Sequence, residues 1–213
     1  MAKIPNGILG AFLGKAGPVT GYMRNGQNII RSSTSRKDGL ITPKRTAQRH
    51  KMKVCCEFTR AFSGTGFFSK TFPSYGDTGS GYNRATGALM NLAVAGAYPD
   101  THISYPDVLL SLGPLPAAEN AAAAVNAAGK LFFSWTDNSG KGTAKANDQV
   151  ILVAYFPELK QVIFSLQAAN RADSQAVLST GTVHGYIAQT WMGFLSADES
   201  DAAKSVYTGT VSV

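Results

Sequence analysis

Hydrophobic and polar positions change rhythm twice along this chain. Over residues 1–41, short apolar runs are broken by Gly7, Gly10, Gly14, Gly17 and Gly21, at steps of 3, 4, 3 and 4. Val19–Arg24 and Gln27–Arg31 flank Asn25-Gly26. That dipeptide between two β-rich runs predicts a hairpin, because a type I′ turn needs two residues tolerant of positive φ. The register sets Tyr22 opposite Ile29 and Gly21 opposite Ile30. Ser32–Gly39 (SSTSRKDG) reads as an exposed loop.

From Thr42 the period becomes helical. Thr42 suits an N-cap, and Pro43 suits the first helical position, where its missing N–H is no loss. Through Ser63, Ala47, Val54, Phe58 and Ala61 share a face expected to pack inward. Arg45, Arg49, Lys53 and Arg60 share another. Residues 64–81 form an aromatic, Gly/Ser-rich connection with Phe67, Phe68, Phe72 and Tyr75. A second helix over 82–97 is expected to bury Leu89, Leu92 and Val94.

From residue 101 the pattern shortens to β-length runs between Gly, Asn, Asp and Pro turns. Strands are predicted at 103–112, 130–136, 149–156, 161–167, 175–179, 186–194 and 205–213. Seven such runs fit an immunoglobulin- or fibronectin-like sandwich. Trp135 is its candidate core tryptophan, and the absence of a cysteine pair beside it favours the fibronectin-like variant. The alanine-rich 116–129 reads as a short helix or a long connection. The fold class is therefore α+β, mainly β. It comprises a basic Gly-rich arm with a hairpin (1–41), a helical region with a basic stripe (42–100) and a sandwich (101–213).

Charge changes the picture more than composition does. Residues 1–60 hold 12 Lys+Arg and 2 Asp+Glu (+10), and the other 153 hold 8 and 11 (−3), giving the net +7. Such a gradient points to an acidic partner: another copy of the chain, a nucleic acid or another acidic surface. The contact residues expected are Lys15, Arg24, Arg31, Arg45, Arg49, Lys53 and Arg60. Gly7, Gly10, Gly14, Gly17 and Gly21 are expected to let an extended arm lie flat on a surface, or else to serve bulges and turns in the chain's own sheet. Only 15% of residues are charged, against about 25% in ordinary soluble domains. A surface largely covered by neighbours and a Ser/Thr-rich all-β exterior both fit that scarcity.

The search for chemistry is negative. Ser139–Thr143 (SGKGT) lacks the spacing and the helix of a phosphate loop and is expected to be a hairpin turn. No nucleophile elbow is present. Two adjacent cysteines (Cys55, Cys56) and scattered His50, His102 and His184 lack metal-ligand spacing, and buried thiols are expected. Asp198, Glu199 and Asp201 read as a solvated turn, with a weak cation site or a dock for a neighbour's basic arm as minority readings. No apolar run approaches the ~20 residues of a membrane span, and no secretory signal is recognised.

The pattern NGxLGxFxGKxGPVxGY over Asn6–Tyr22 is followed by Asn25-Gly26, Thr42-Pro43 and Gln48-Arg49. Downstream stand Tyr105–Leu115, Phe133-Ser134-Trp135 and Ser205–Val211. Together these resemble a Bacteroidota family of unknown function. The resemblance covers nearly the whole chain and implies no activity, cofactor or site residue. The expectation is a non-catalytic structural protein that needs no cofactor or metal. It self-assembles into a filament, tube or phage-like particle and is cytoplasmic or part of that particle. The alternative is a non-specific nucleic-acid-binding protein using the helix stripe.

Overall fold

The computed structural model describes residues 2–4, 10–24, 26–32, 41–76, 78–126, 130–181, 183 and 185–213. Gly7, Asn25, His184, residues 33–39 of the expected loop and Leu40 lie outside them. The fold is α+β and mainly β. Residues 1–42 and 43–213 form two compact units.

The first unit holds β1 (Gly14–Ala16), β2 (Val19–Arg24) and β3 (Gln27–Ser32), in the order β1-β2-β3. The hairpin register is the expected one, with Tyr22 opposite Ile29 and Gly21 opposite Ile30. Across β1 and β2, Lys15 faces Thr20.

The second unit begins with α1 (Pro43–Arg60), α2 (Phe67–Thr71) and α3 (Gly81–Leu92). In α1 the buried residues are Cys55, Phe58 and Thr59. Ala47, Val54 and Ala61 are only half-buried, so the inward face is turned from the expected stripe. Thr59 explains the turn, because its hydroxyl bonds the Cys55 carbonyl (3.0 Å) and the Tyr82 hydroxyl (2.8 Å) of α3. Cys55 is buried as expected and Cys56 half-buried, both as free thiols. Ser80 caps α3 through the Asn83 amide. That helix ends before the expected 97, leaving Leu92 57% exposed.

The chain continues through β4 (Val94–Ala95), β5 (His102–Ile103), β6 (Glu119–Val125), β7 (Leu131–Thr136) and β8 (Gln149–Phe156). It ends with β9 (Gln161–Ser165), β10 (Gln175–Leu178), β11 (Ile187–Leu195) and β12 (Val206–Ser212). One sheet runs β12-β11-β8-β9 and another β10-β7-β6, with β4 and β5 paired separately. The two larger sheets enclose a core including Leu131, Phe133, Trp135, Leu152, Phe156, Met192 and Phe194. On the other face of the four-stranded sheet, Ile151, Val153, Tyr155 and Trp191 pack with Phe58, Phe67 and Leu89 from the helices and Phe62 from the turn between α1 and α2. The result is three layers, because the outer face of that sheet is covered by helices.

Three β expectations need correction. Residues 103–112 are not one strand. Pro106 sits in a 3-10 turn at Tyr105–Asp107, and the Leu110 amide then bonds the Ser205 hydroxyl instead of a ladder partner (2.8 Å). The alanine-rich 116–129 contains strand β6, paired with β7 through a register shift between Glu119 and Ala122. Residues 139–143 are not a hairpin turn, because β7 and β8 belong to different sheets.

A buried ion pair ties the end of the sandwich together. Arg171 Nε donates to Asp148 Oδ2 (3.0 Å), both side chains being essentially inaccessible. Arg171 Nη1 donates to Asn138 Oδ1, and both Nη1 and Nη2 reach the Pro116 carbonyl. The guanidinium lies 3.7 Å from the Phe194 ring centroid, and Trp135 Nε1 donates to the Arg171 carbonyl (2.7 Å). Burial pulls the arginine below its ordinary value, and Asp148 opposes that shift. Arg171→Met strands a buried carboxylate and is expected to lower unfolding free energy by about 3–5 kcal/mol in denaturant titration. Adding Asp148→Leu should recover much of that loss.

Candidate functional site

Strand alternation decides where the N-terminal cations stand. Lys15 pairs with Thr20 and Thr20 with Arg31, while Arg24 pairs with Gln27. Residues directly opposite share a face, as do residues two apart. Lys15, Arg24 and Arg31 therefore share one face of the three-stranded sheet with Tyr22 and Ile29, and all three cations are exposed. The Arg31 guanidinium stands 5.7 Å from the Tyr22 ring centroid, in cation–π range.

The opposite face carries Gly14, Gly21, Met23 and Ile30. Gly21 has a steric role, since a Cβ there would run into the Phe12 carbonyl and ring. Its close approach is thus to the chain's own backbone. Gly17 (φ +57°) turns the chain between β1 and β2, and Gly14 also has positive φ, whereas Gly10 lies in a bend.

On α1, Arg45, Arg49, Lys53 and Arg60 are all exposed, opposite the buried Cys55, Phe58 and Thr59. The seven predicted cations thus form two groups, one on a sheet face and one on a helix, in separate compact units.

Two cavities in the second unit were not legible in the sequence. The larger, about 550 Å³, is an apolar groove between α3, the Phe72–Tyr75 turn and Leu112–Pro114. Arg84 borders it with its polar atoms engaged: Nε and Nη2 donate to the Phe72 carbonyl, and Nη1 to the Gly79 carbonyl. Gly113 packs so tightly that a Cβ would collide with the Ala202 carbonyl and the Tyr75 hydroxyl. The acidic turn between β11 and β12 therefore adjoins the groove. There Lys70 Nζ bonds Glu199 (2.7 Å), and the Ser196 and Ser200 hydroxyls hold Asp198 down to about 2. The groove is built from segments distant in sequence, so no local motif announces it.

The smaller cavity, about 290 Å³, is lined by Glu57, Thr101, Tyr105, Tyr155 and Lys160 among others. The buried Thr101 hydroxyl has no hydrogen-bond partner among the described residues. Glu57 and Lys160 stand 4.0 Å apart. Among the described residues, no three His, Cys, Asp or Glu side chains converge as a metal site, and no helix is long and apolar enough to cross a membrane.

Burial, aided by neighbouring Tyr105 and Glu57, pushes the Tyr155 phenol up to about 12 from an ordinary 10. The folded state thus disfavours the phenolate. The associated stability is complete below pH 10 and is lost as pH rises towards about 12. In alkaline denaturation series, Tyr155→Phe should flatten the decline above pH 10 relative to the parent chain.

No curated protein and no solved structure matches the chain. One family model matches residues 11–209, which include the basic sheet face, the α1 stripe and the groove, and the chain therefore belongs to the family of unknown function DUF6266.

Proposed function

We propose that this chain is a non-catalytic structural protein that self-assembles through its N-terminal sheet into a filament, tube or phage-like particle. The observation that carries this reading is the thinness of the N-terminal sheet. Gly21 is the single buried residue among the described residues of 1–42, while Met23 and Ile30 are 50% and 65% exposed on one face. A small sheet with so little interior is marginal alone and gains stability when a partner covers its apolar face. Charge supports the same partner. Residues 1–42 hold 6 Lys+Arg against 1 Asp+Glu (+5), and residues 43–213 hold 14 against 12 (+2), together the net +7. The surplus per residue is concentrated on the first unit, which favours contact with acidic patches of a neighbour. The protein would act in the cytoplasm or within the assembled particle.

A second reading is non-specific nucleic-acid binding. The grouping of Lys15, Arg24 and Arg31 around Tyr22 favours it, with the α1 stripe as a further phosphate contact.

Sedimentation velocity across a wide concentration range separates the two. Self-assembly gives large species that grow with concentration, and a double Met23→Asp/Ile30→Asp variant should remain a single copy. A parent chain that stays monomeric throughout overturns the assembly reading. Binding to duplex DNA that weakens steeply with salt supports the second, with log K falling by about 0.9 per phosphate contact for each log unit of salt.

A further inference from the structure

We propose that the Lys15/Arg24/Arg31 face of the N-terminal sheet binds single-stranded nucleic acid, with an unpaired base lying on Tyr22. The inference rests on the nucleic-acid reading and specifies the form of the strand and the side chain that meets its bases.

The strand register sets the spacing of the groups. Lys15, Thr20 and Arg31 stand side by side across the three strands, and Arg24 lies four residues beyond Thr20 on β2. At about 3.3 Å per residue, Arg24 is roughly 13 Å from that row, with Tyr22 midway between. Ile29 lies directly opposite Tyr22 on β3. The face therefore has a half-buried apolar centre, Tyr22 and Ile29, with exposed cations at either end. The described residues of 1–42 include no Asp or Glu. None of the three cations forms an ion pair among the described residues.

Three uncompensated cations on one face attract an anion that carries several charges. The apolar centre between them selects its kind. A duplex keeps its bases stacked inside and would set charged backbone against Tyr22 and Ile29. A single strand alternates phosphates with exposed planar bases, so a base can cover the aromatic centre while its flanking phosphates meet the cations. The Arg31 guanidinium, 5.7 Å from the Tyr22 ring centroid, adds a cationic edge to that stacking surface. Recognition by stacking and charge tolerates any base sequence. Met23 and Ile30 stand on the opposite face, so strand binding and assembly use different side chains of one sheet.

Fluorescence anisotropy with the full chain and short labelled probes tests this. Oligothymidylate should bind more tightly than a duplex of equal length. It should also bind about ten-fold more tightly than an abasic deoxyribose-phosphate strand or a polyglutamate of equal charge. Tyr22→Thr should weaken oligothymidylate by about ten-fold and leave the abasic strand unchanged, while Tyr22→Phe should bind like the parent. Photocrosslinking of an iodouracil-containing strand to the parent chain needs no variant, and its adducts should fall on Tyr22. Adducts confined to α1, or a duplex bound as tightly as the single strand, overturn this inference while the nucleic-acid reading stands. An abasic strand or polyglutamate that matches oligothymidylate also overturns it, the latter in favour of an acidic protein surface. If no nucleic acid binds, both fall together.

Discussion

Strands β8 and β11 carry the constraint on which the second unit depends, because each feeds two cores at once. Ile151, Val153 and Tyr155 point to the helices, while Val150, Leu152, Ala154 and Phe156 point between the sheets. Opposite them, Trp191 pairs with Val153 on the helical side and Met192 with Leu152 on the other. A one-residue slip would exchange the two faces of the central pair and place each set of side chains in a core shaped for the other. The register is therefore fixed from both sides. It also explains why β8 reads as an unbroken apolar run without polar alternation. Gly193 belongs to the same constraint: a Cβ there would press on the Ser111 hydroxyl, so the segment following Pro106 can lie close over the sheet.

Arg171 plays the complementary part at the end of the sandwich. Its partners Asp148 and Asn138 come from the connection between β7 and β8, and Pro116 from the one that leads into β6. The net value of such a buried pair over well-packed apolar residues is small. Its geometry, however, fixes where the chain crosses from β7 to β8, because both Asn138 and Asp148 lie in that crossing. The cation also caps the Phe194 ring, linking the polar cluster to the apolar core beneath it.

The sequence revealed elements wherever one periodicity stood alone. The 149–156 strand was legible from its continuous run of β-branched and other apolar residues, and the Tyr22/Ile29 register from Asn-Gly turn chemistry between two β-rich runs. The alanine run of β6 was illegible for the opposite reason. Ala121 and Ala123 are more buried than Ala122 and Ala124, but identical residues carry no alternation to read. The inward face of α1 was misplaced because Thr59 counts as polar in any periodic reading, although hydrogen bonds to Cys55 and Tyr82 satisfy it inside. A lone Arg171 in a polar stretch gives no sign of burial. The seven cations were visible, but their division between a sheet face and a helix needed the strand register. The groove depends on residues 72–75, 84–88 and 112–114 meeting in space, which no local pattern encodes.

The two units differ in how their stability can arise. Residues 43–213 have two cores sharing one sheet, so they hold a large apolar interior on both sides. The N-terminal sheet has Phe12 over Gly21 and little else inside, with cations spread over its other face. Three like charges on a small sheet oppose its compact state through mutual repulsion, and they do so more at low ionic strength. An acidic neighbour reverses the sign of that term, while cover over Met23 and Ile30 supplies the missing burial. The order of this sheet and its binding are then thermodynamically linked: whatever binds the folded sheet also stabilises it. Any surface that met this basic, glycine-spaced sheet would therefore be coupled to its folding.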